Sequence, residues 1–237
     1  MYNQGFVVYE TALAARSYQF TMTIHDFAVV YLDSTCIGSF DRSVSPSHVF
    51  NASCTKSSCK LTIIVEAMGH INFDHGMQTD FKGLIDFSDK ASSKFIWNIY
   101  KINIDKDILN WRKIGDKSFP SLAKATFNVT TIGDTYLNVK NYQKGYLWVN
   151  GRNLGRYWNV GPSFKLFCPG VWLKQGLNEL YILDLLTDEL SDIKGEQFLN
   201  WLNWQIVKIY TLKTDHFIIF WDKFRNNFFW DSKCAAF

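Results

Sequence analysis

Five glutamates, Glu10, Glu66, Glu179, Glu189 and Glu196, are the side chains of this 237-residue sequence best suited by type to acid–base work. Such work needs two carboxylates at one reacting centre, one of them held protonated by its surroundings. These five are scattered, with no spacing that makes two converge, so no catalytic residue is assigned. Glu66 closes the apolar run Leu61–Val65, where a carboxylate most simply accepts backbone or hydroxyl hydrogen bonds. His70, Asp74 and His75 carry ligand-type side chains, yet their spacing fits no zinc pattern and no cysteine lies nearby in sequence. They read as loop hydrogen bonders, and neither metal nor cofactor is expected. Cys54 and Cys59 bracket the polar stretch TKSS and could close a small disulfide in an oxidising compartment or stay free thiols; with Cys36, Cys168 and Cys234 the total of five is odd. Asn51-Ala52-Ser53 and Asn128-Val129-Thr130 are glycosylation sequons, which only a secreted chain can use and which also arise by chance.

The elements that must position these groups are strands. Apolar runs of strand length fall at 5–9, 27–32, 61–65, 95–104, 124–132, 146–149, 164–167 and 177–183, rich in Val, Ile, Tyr, Phe and Trp. Gly, Ser, Asn and Asp clusters divide them, and no long 3.6-residue pattern precedes residue 185. The imperfect alternation of 95–104 is that of a strand buried on both faces. Asn150-Gly151, after Tyr146–Val149, is a tight-turn signal because both residues tolerate positive φ. The fold class is therefore all-β: two antiparallel sandwiches, at about 1–104 and 119–185, joined by the polar linker 105–118. Hydrophobic residues at 47% suffice for a sizeable core, while a net charge of +3 without a basic block gives no footprint for nucleic acid. No run of eighteen apolar residues predicts a membrane span, and the N-terminal MYNQGFVVYETALAARS does not read as a signal peptide.

The segment 146–169, YLWVNGRNLGRYWNVGPSFKLFCP, closely resembles the hallmark Trp-x-Asn-Gly-x-Asn-Leu-Gly-Arg-Tyr-Trp, then Gly-Pro, of the beta-galactosidases of glycoside hydrolase family 35. Two more stretches resemble the same family in the same order. One is HDFAVVYLD at 25–33, followed by Gly38 and Arg42; the other is LTIIVEAMGHINFDHGMQTDFKGL at 61–84. The resemblance runs from about Gly5 to Asp184.

It implies a pair of galactose-binding-like, jelly-roll-like domains that follow a (β/α)₈ barrel in family members. That barrel supplies the acid and the nucleophile, and needs roughly 250 residues. The expectation is a non-catalytic β-domain portion of a beta-galactosidase-like glycoside hydrolase, inactive alone, with the barrel as partner and a β-galactoside or related glycan as ligand. The parent family is lysosomal, vacuolar or secreted. In the family, Gly-Arg-x-Asn-Tyr faces the barrel and its tyrosine helps to line the sugar pocket; here these positions are Gly69, His70, Ile71, Asn72 and Phe73. Asn72 and Phe73 are the candidate substrate-binding residues. Phe73 keeps a face for stacking but lacks the phenolic hydroxyl, and His70 lacks the five-donor guanidinium fork. Trp148, Tyr157 and Trp158 could stack on a sugar but read first as core and interface. A free-standing, lectin-like carbohydrate-binding module is the alternative.

From 186 to 237 the resemblance is absent and 12 aromatics crowd 52 residues. This atypical tail is left unassigned: 196–207 could form a helix, and 205–212 or 217–221 could form strands. Its apolar surface, added to that of the loop Gly69–Gly76, predicts self-association.

Overall fold

The computed structural model describes residues 4–73, 75–104, 121–161, 163–186, 191–197 and 213–218, the last segment as backbone only. The linker 105–118 and the helix expected over 196–207 fall almost wholly outside these residues. The chain divides into two compact units, each a pair of antiparallel sheets, and no α-helix occurs among the described residues.

In the first unit the strands are β1 (Gln4–Ala14), β2 (Ser17–His25), β3 (Phe27–Leu32), β4 (Thr35–Asp41), β5 (His48–Ser53), β6 (Ser58–Met68), β7 (Gly83–Asp89) and β8 (Asn98–Ile102). Five form one sheet, ordered β4-β3-β6-β1-β8, and three form the other, β5-β2-β7. Strand β2 shows why the sheets face each other: Tyr18, Phe20, Met22 and Ile24 alternate inward, while Gln19, Thr21 and Thr23 alternate outward. They meet Leu61, Ile63 and Val65 of β6 in one core. Phe20 lies 5.1 Å from Phe50, 4.9 Å from Phe87 and 5.9 Å from Phe95 between ring centres. Each such pair contributes about 0.5–1.5 kcal/mol beyond its burial. The disulfide Cys54–Cys59 ties the end of β5 to the start of β6.

The run 95–104 is corrected by the structure. Only 98–102 is strand, and among the described residues it pairs with β1 alone and forms the sheet edge, with Ile96 88% and Ile99 57% exposed. Imperfect alternation reflects an edge strand here, because among the described residues its second side has no neighbour to demand a pattern.

In the second unit the strands are β9 (Ser121–Val129), β10 (Thr135–Asn138), β11 (Lys144–Val149), β12 (Arg152–Trp158), β13 (Lys165–Cys168), β14 (Gly176–Asp184), β15 (Lys194–Glu196) and β16 (Lys213–Ile218). Their sheets run β12-β11-β14-β9-β16 and β13-β10-β15. Asn150 and Gly151 take φ of 51° and 78°, turning β11 into β12 as their composition predicts. The Asn150 amide spans to the Trp172 carbonyl at 2.8 Å and Asn178 Oδ1 at 2.7 Å, and its Oδ1 accepts the Glu179 N–H at 3.0 Å. Part of the segment set aside as a tail therefore belongs to this unit: β15 pairs with β10, and β16 pairs with β9 along 213–218.

Candidate functional site

Four charged residues from the motif stretches of the first unit meet beneath the loop that joins β6 to β7. Asp26 lies in the bend between β2 and β3, Arg42 follows β4, and Asp80 and Lys82 lead into β7. The Arg42 guanidinium donates to Asp26 Oδ1 at 3.0 Å and to Asp80 Oδ1 at 2.7 Å. Lys82 Nζ donates to both Asp26 oxygens at 2.9 Å and lies 2.7 Å from Asp80 Oδ2. Asp26 also accepts the Met68 N–H at 2.8 Å, at the end of β6. The side chains of Lys82, Asp26 and Asp80 are 4%, 7% and 1% exposed. Two cations thus balance two anions inside the fold, the condition under which buried charges are tolerated.

Backbone geometry delivers these groups. The Asp26 N–H donates to the Glu66 carbonyl at 3.0 Å and the Arg42 N–H to the Asp26 carbonyl at 2.9 Å, which sets β3, β4 and β6 in register at one end. Gly83, at φ 109°, lets the chain turn from Lys82 into β7 beside the Tyr9 hydroxyl, which accepts the Leu84 N–H at 3.1 Å. His25 Nδ1 donates to the Phe81 carbonyl at 2.6 Å, a fifth tie on the loop. Burial by itself would push the Asp80 carboxyl up; the hydrogen bonds and charges of Lys82 and Arg42 overcome it and hold the group at about 2.

The clamp supports a loop that carries several exposed side chains. Phe73 is 82% exposed, Phe81 58% and Met77 46%, while His70 and Asn72 are also exposed. Asn72 and Phe73 therefore stand on one exposed loop, anchored at its base and free at its tip. His75 opens a 3₁₀ turn over His75–Gln78, and Asp74 lies outside the described residues. No group of three metal-ligating side chains gathers among the described residues.

Each of the four described glutamates has its own surroundings. Glu66 is 1% exposed within β6, one residue before the strand's last two, and so sits further inside the sheet than the apolar run suggests. Glu10 pairs with Lys60 at 3.0 Å. Glu179 pairs with Lys124, whose hydrogen bond lowers its carboxyl below the usual range. Glu196 is likewise lowered: burial opposes this, and hydrogen bonds from Lys165 and Asn138 prevail. Glu189 lies outside the described residues.

In the second unit Trp148 and Tyr157 are buried completely or nearly so, and Tyr157 Oη sits 2.9 Å from both the Leu183 carbonyl and Asp184 Oδ2. Trp158 is half-buried, with Lys144 Nζ 4.6 Å from its ring centre. A more open aromatic pair lies on the three-stranded sheet, where half-buried Tyr136 and Phe167 are cross-strand partners with ring centres 5.4 Å apart. Phe167 is 46% exposed. Sequence reasoning passed over this pair because Tyr136 sits in a strand of four residues with only one buried position. Asn51 and Asn128 are both exposed, on β5 and β9.

Comparison with known proteins places this geometry. Residues 1–103 match the family description "Beta-galactosidase, first all-beta domain", and residues 120–178 match "Beta-galactosidase, galactose-binding domain". Beta-galactosidase 1 of Dictyostelium discoideum is 33% identical over 224 residues, covering 83% of this chain and 33% of that protein. Beta-galactosidase-1-like protein 3 of Homo sapiens is 32% identical over 201 residues, covering 81% of this chain and 30% of that protein. The chain thus spans about a third of the length of these relatives. A Pleurotus ostreatus lectin in complex with GalNAc aligns with 77% of this chain and 68% of its own at 12% identity and a TM-score of 0.25, too low to bear on fold or ligand. With both family descriptions matched in order and the signature residues of all three motif stretches placed in the sandwiches, the chain belongs to the beta-galactosidase family, glycoside hydrolase family 35, and comprises its β-domains.

Proposed function

We propose that this chain is a non-catalytic part of a beta-galactosidase, two β-domains, the first at about 1–104 and the second from about 119 through β16, that brace a (β/α)₈ catalytic barrel and help to shape its sugar pocket. One observation carries this reading: the signature residues Asp26, Arg42, Asp80 and Lys82 are spent on one another, holding the loop from Gly69 to Lys82 with Phe73 and Phe81 outward. An exposed apolar tip on a rigid base is suited to meet another protein surface. In this arrangement Asn72 and Phe73 are the residues that reach toward substrate, Phe73 through the C–H face of a β-galactoside.

The carboxylates support the non-catalytic role. A glycosidase acid must hold its proton near neutral pH, so its pKa is raised. Asp80, Glu179 and Glu196 are all shifted the other way by bound cations. Asp26 and Asp80 do lie near each other, but two cations neutralise them and burial excludes a substrate.

The test is a chromogenic β-galactoside assay on the chain purified from a host lacking its own galactosidase. No turnover is expected, and turnover that persists would refute the reading. A second role, direct glycan binding by the second unit, is favoured by the pair formed by half-buried Tyr136 and exposed Phe167. Titration with galactose, against a Tyr136→Ala, Phe167→Ala double variant, separates the two: saturable binding lost in the variant supports this second role.

A further inference from the structure

We propose that Asn51 is an N-glycosylation site and that the cleft beside it seats the first sugar of the attached glycan. Asn51 lies on β5, an edge strand, with its side chain exposed and its cross-strand partner Gln19 on the same outer face. Sequon residue Ser53 shares that face, its Oγ 3.0 Å from Ser17 Oγ. A glycan attached to the growing chain is therefore carried outward when β5 joins β2, so folding does not force it into the core.

Compartment is the second consideration. The disulfide Cys54–Cys59 begins three residues after Asn51 and closes on the next strand. Cys36 is disulfide-bonded as well. Bridges of this kind persist in an oxidising compartment, where the sequon is also read.

The cleft supplies the third. It is an open cleft of about 340 Å³ lined by Arg16, Tyr18, Gln19, Asn51, Asp89 and Lys90, among others. Its volume is at the small end for ligand sites, the scale of a single sugar. Arg16 is pre-set within it: the guanidinium lies 4.2 Å over the Tyr18 ring, and Nη2 donates to Asp89 Oδ2 at 2.7 Å and Ser93 Oγ at 2.6 Å. Held by Tyr18, Asp89 and Ser93, the fork presents the N–H groups not engaged there with little further ordering cost. With the Gln19 amide and the Lys90 ammonium, the lining is rich in donors, which suits the carbonyl and hydroxyl oxygens of an N-acetylated sugar.

The chemistry balances as a substitution at the sugar's anomeric carbon. The Asn51 amide nitrogen bonds to C1 of a lipid-diphosphate-linked oligosaccharide, the C1–oxygen bond breaks, and the lipid diphosphate leaves. The amide gives up one proton, taken by the departing diphosphate.

The experiment expresses the full chain with a cleavable leader in a eukaryotic secretory host. Enzymatic glycan release in heavy-oxygen water, then peptide mapping, marks each formerly glycosylated asparagine as labelled aspartate. Label at Asn51, lost in Asn51→Gln and independently in Ser53→Ala, is the expected result; an unlabelled Asn51 overturns the proposal. For the seat, release from the native chain is timed for wild type, Arg16→Ala and Arg16→Lys. Both variants should release the glycan several-fold faster than wild type when folded and equally fast when unfolded. Equal rates in the folded state would show that the cleft holds nothing.

Discussion

Replacing Lys82 by alanine tests whether the charged clamp, rather than the loop's own turns, holds the candidate site. The ammonium is 4% exposed and contacts three carboxylate oxygens between 2.7 and 2.9 Å. Removing one partner from a buried charge group costs about 3–5 kcal/mol, because the remaining charges lose compensation. Arg42 stays and is 31% exposed, so water and the guanidinium recover part of the loss, which places the cost at about 3 kcal/mol. The Asp80 shift gives a similar scale: a fall from 3.8 to about 2 is worth about 2.5 kcal/mol at about 1.4 kcal/mol per unit.

With a urea slope of about 2 kcal/mol per molar, the first unit should lose about 1.5 M in its midpoint. Because the chain has two units, amide hydrogen exchange on β1 and β6 is the proper readout, not a single global melt. The pH dependence follows from a depressed carboxyl. Asp80 contributes its stability above the unfolded value of 3.8, and loses it as pH falls through about 2. The gap between wild type and Lys82→Ala should therefore be full at neutral pH and narrow progressively from about pH 4 to pH 2. Adding Asp80→Asn should restore part of the lost midpoint, since it removes the carboxylate left short of a cation. A loss below 1 kcal/mol, a gap that stays constant to pH 2.5, or a double variant worse than the single would refute the reasoning.

Two other outcomes test packing and surface. Gly145→Ala should destabilise the second unit by about 3 kcal/mol or more, because a Cβ there collides with the Leu183 carbonyl oxygen across β14; a urea midpoint unchanged within error would contradict it. Replacing Phe73 and Phe81 together with serine should reduce self-association on size-exclusion chromatography while leaving the urea midpoint within about 0.5 kcal/mol of wild type, and unchanged association would place the sticky surface elsewhere.

How far the sequence disclosed the fold depended on the kind of strand. Buried apolar runs such as Phe27–Leu32 and the core of Ser58–Met68 were legible because both faces are covered. Strand β2 was not, although Tyr18, Phe20, Met22 and Ile24 alternate with polar residues in a strict period of two. A search for continuous apolar runs excludes a one-faced strand by construction. The same blindness hid β5 and β7, whose exposed faces break every run. Asn150-Gly151 was legible because its φ requirement is local, whereas the clamp was not. Asp26, Arg42, Asp80 and Lys82 are each visible in a motif, but their meeting depends on sheet order across as many as 56 positions.

That meeting also explains where this chain departs from the family pattern. The clamp residues at the loop's base follow the pattern, and each is tied to at least two others, so a change there leaves a buried charge unpaired. The departures fall at the tip, where histidine stands at 70 and phenylalanine at 73, both exposed. An exposed side chain contributes little to folding, so substitution at the tip leaves the scaffold intact. Its consequence is felt only by whatever meets the tip. Loss of the guanidinium fork and the phenolic hydroxyl removes hydrogen-bond donors while Phe73, Met77 and Phe81 keep apolar area. The loop of this chain therefore presents a less polar tip than the family pattern describes, on a base that follows it.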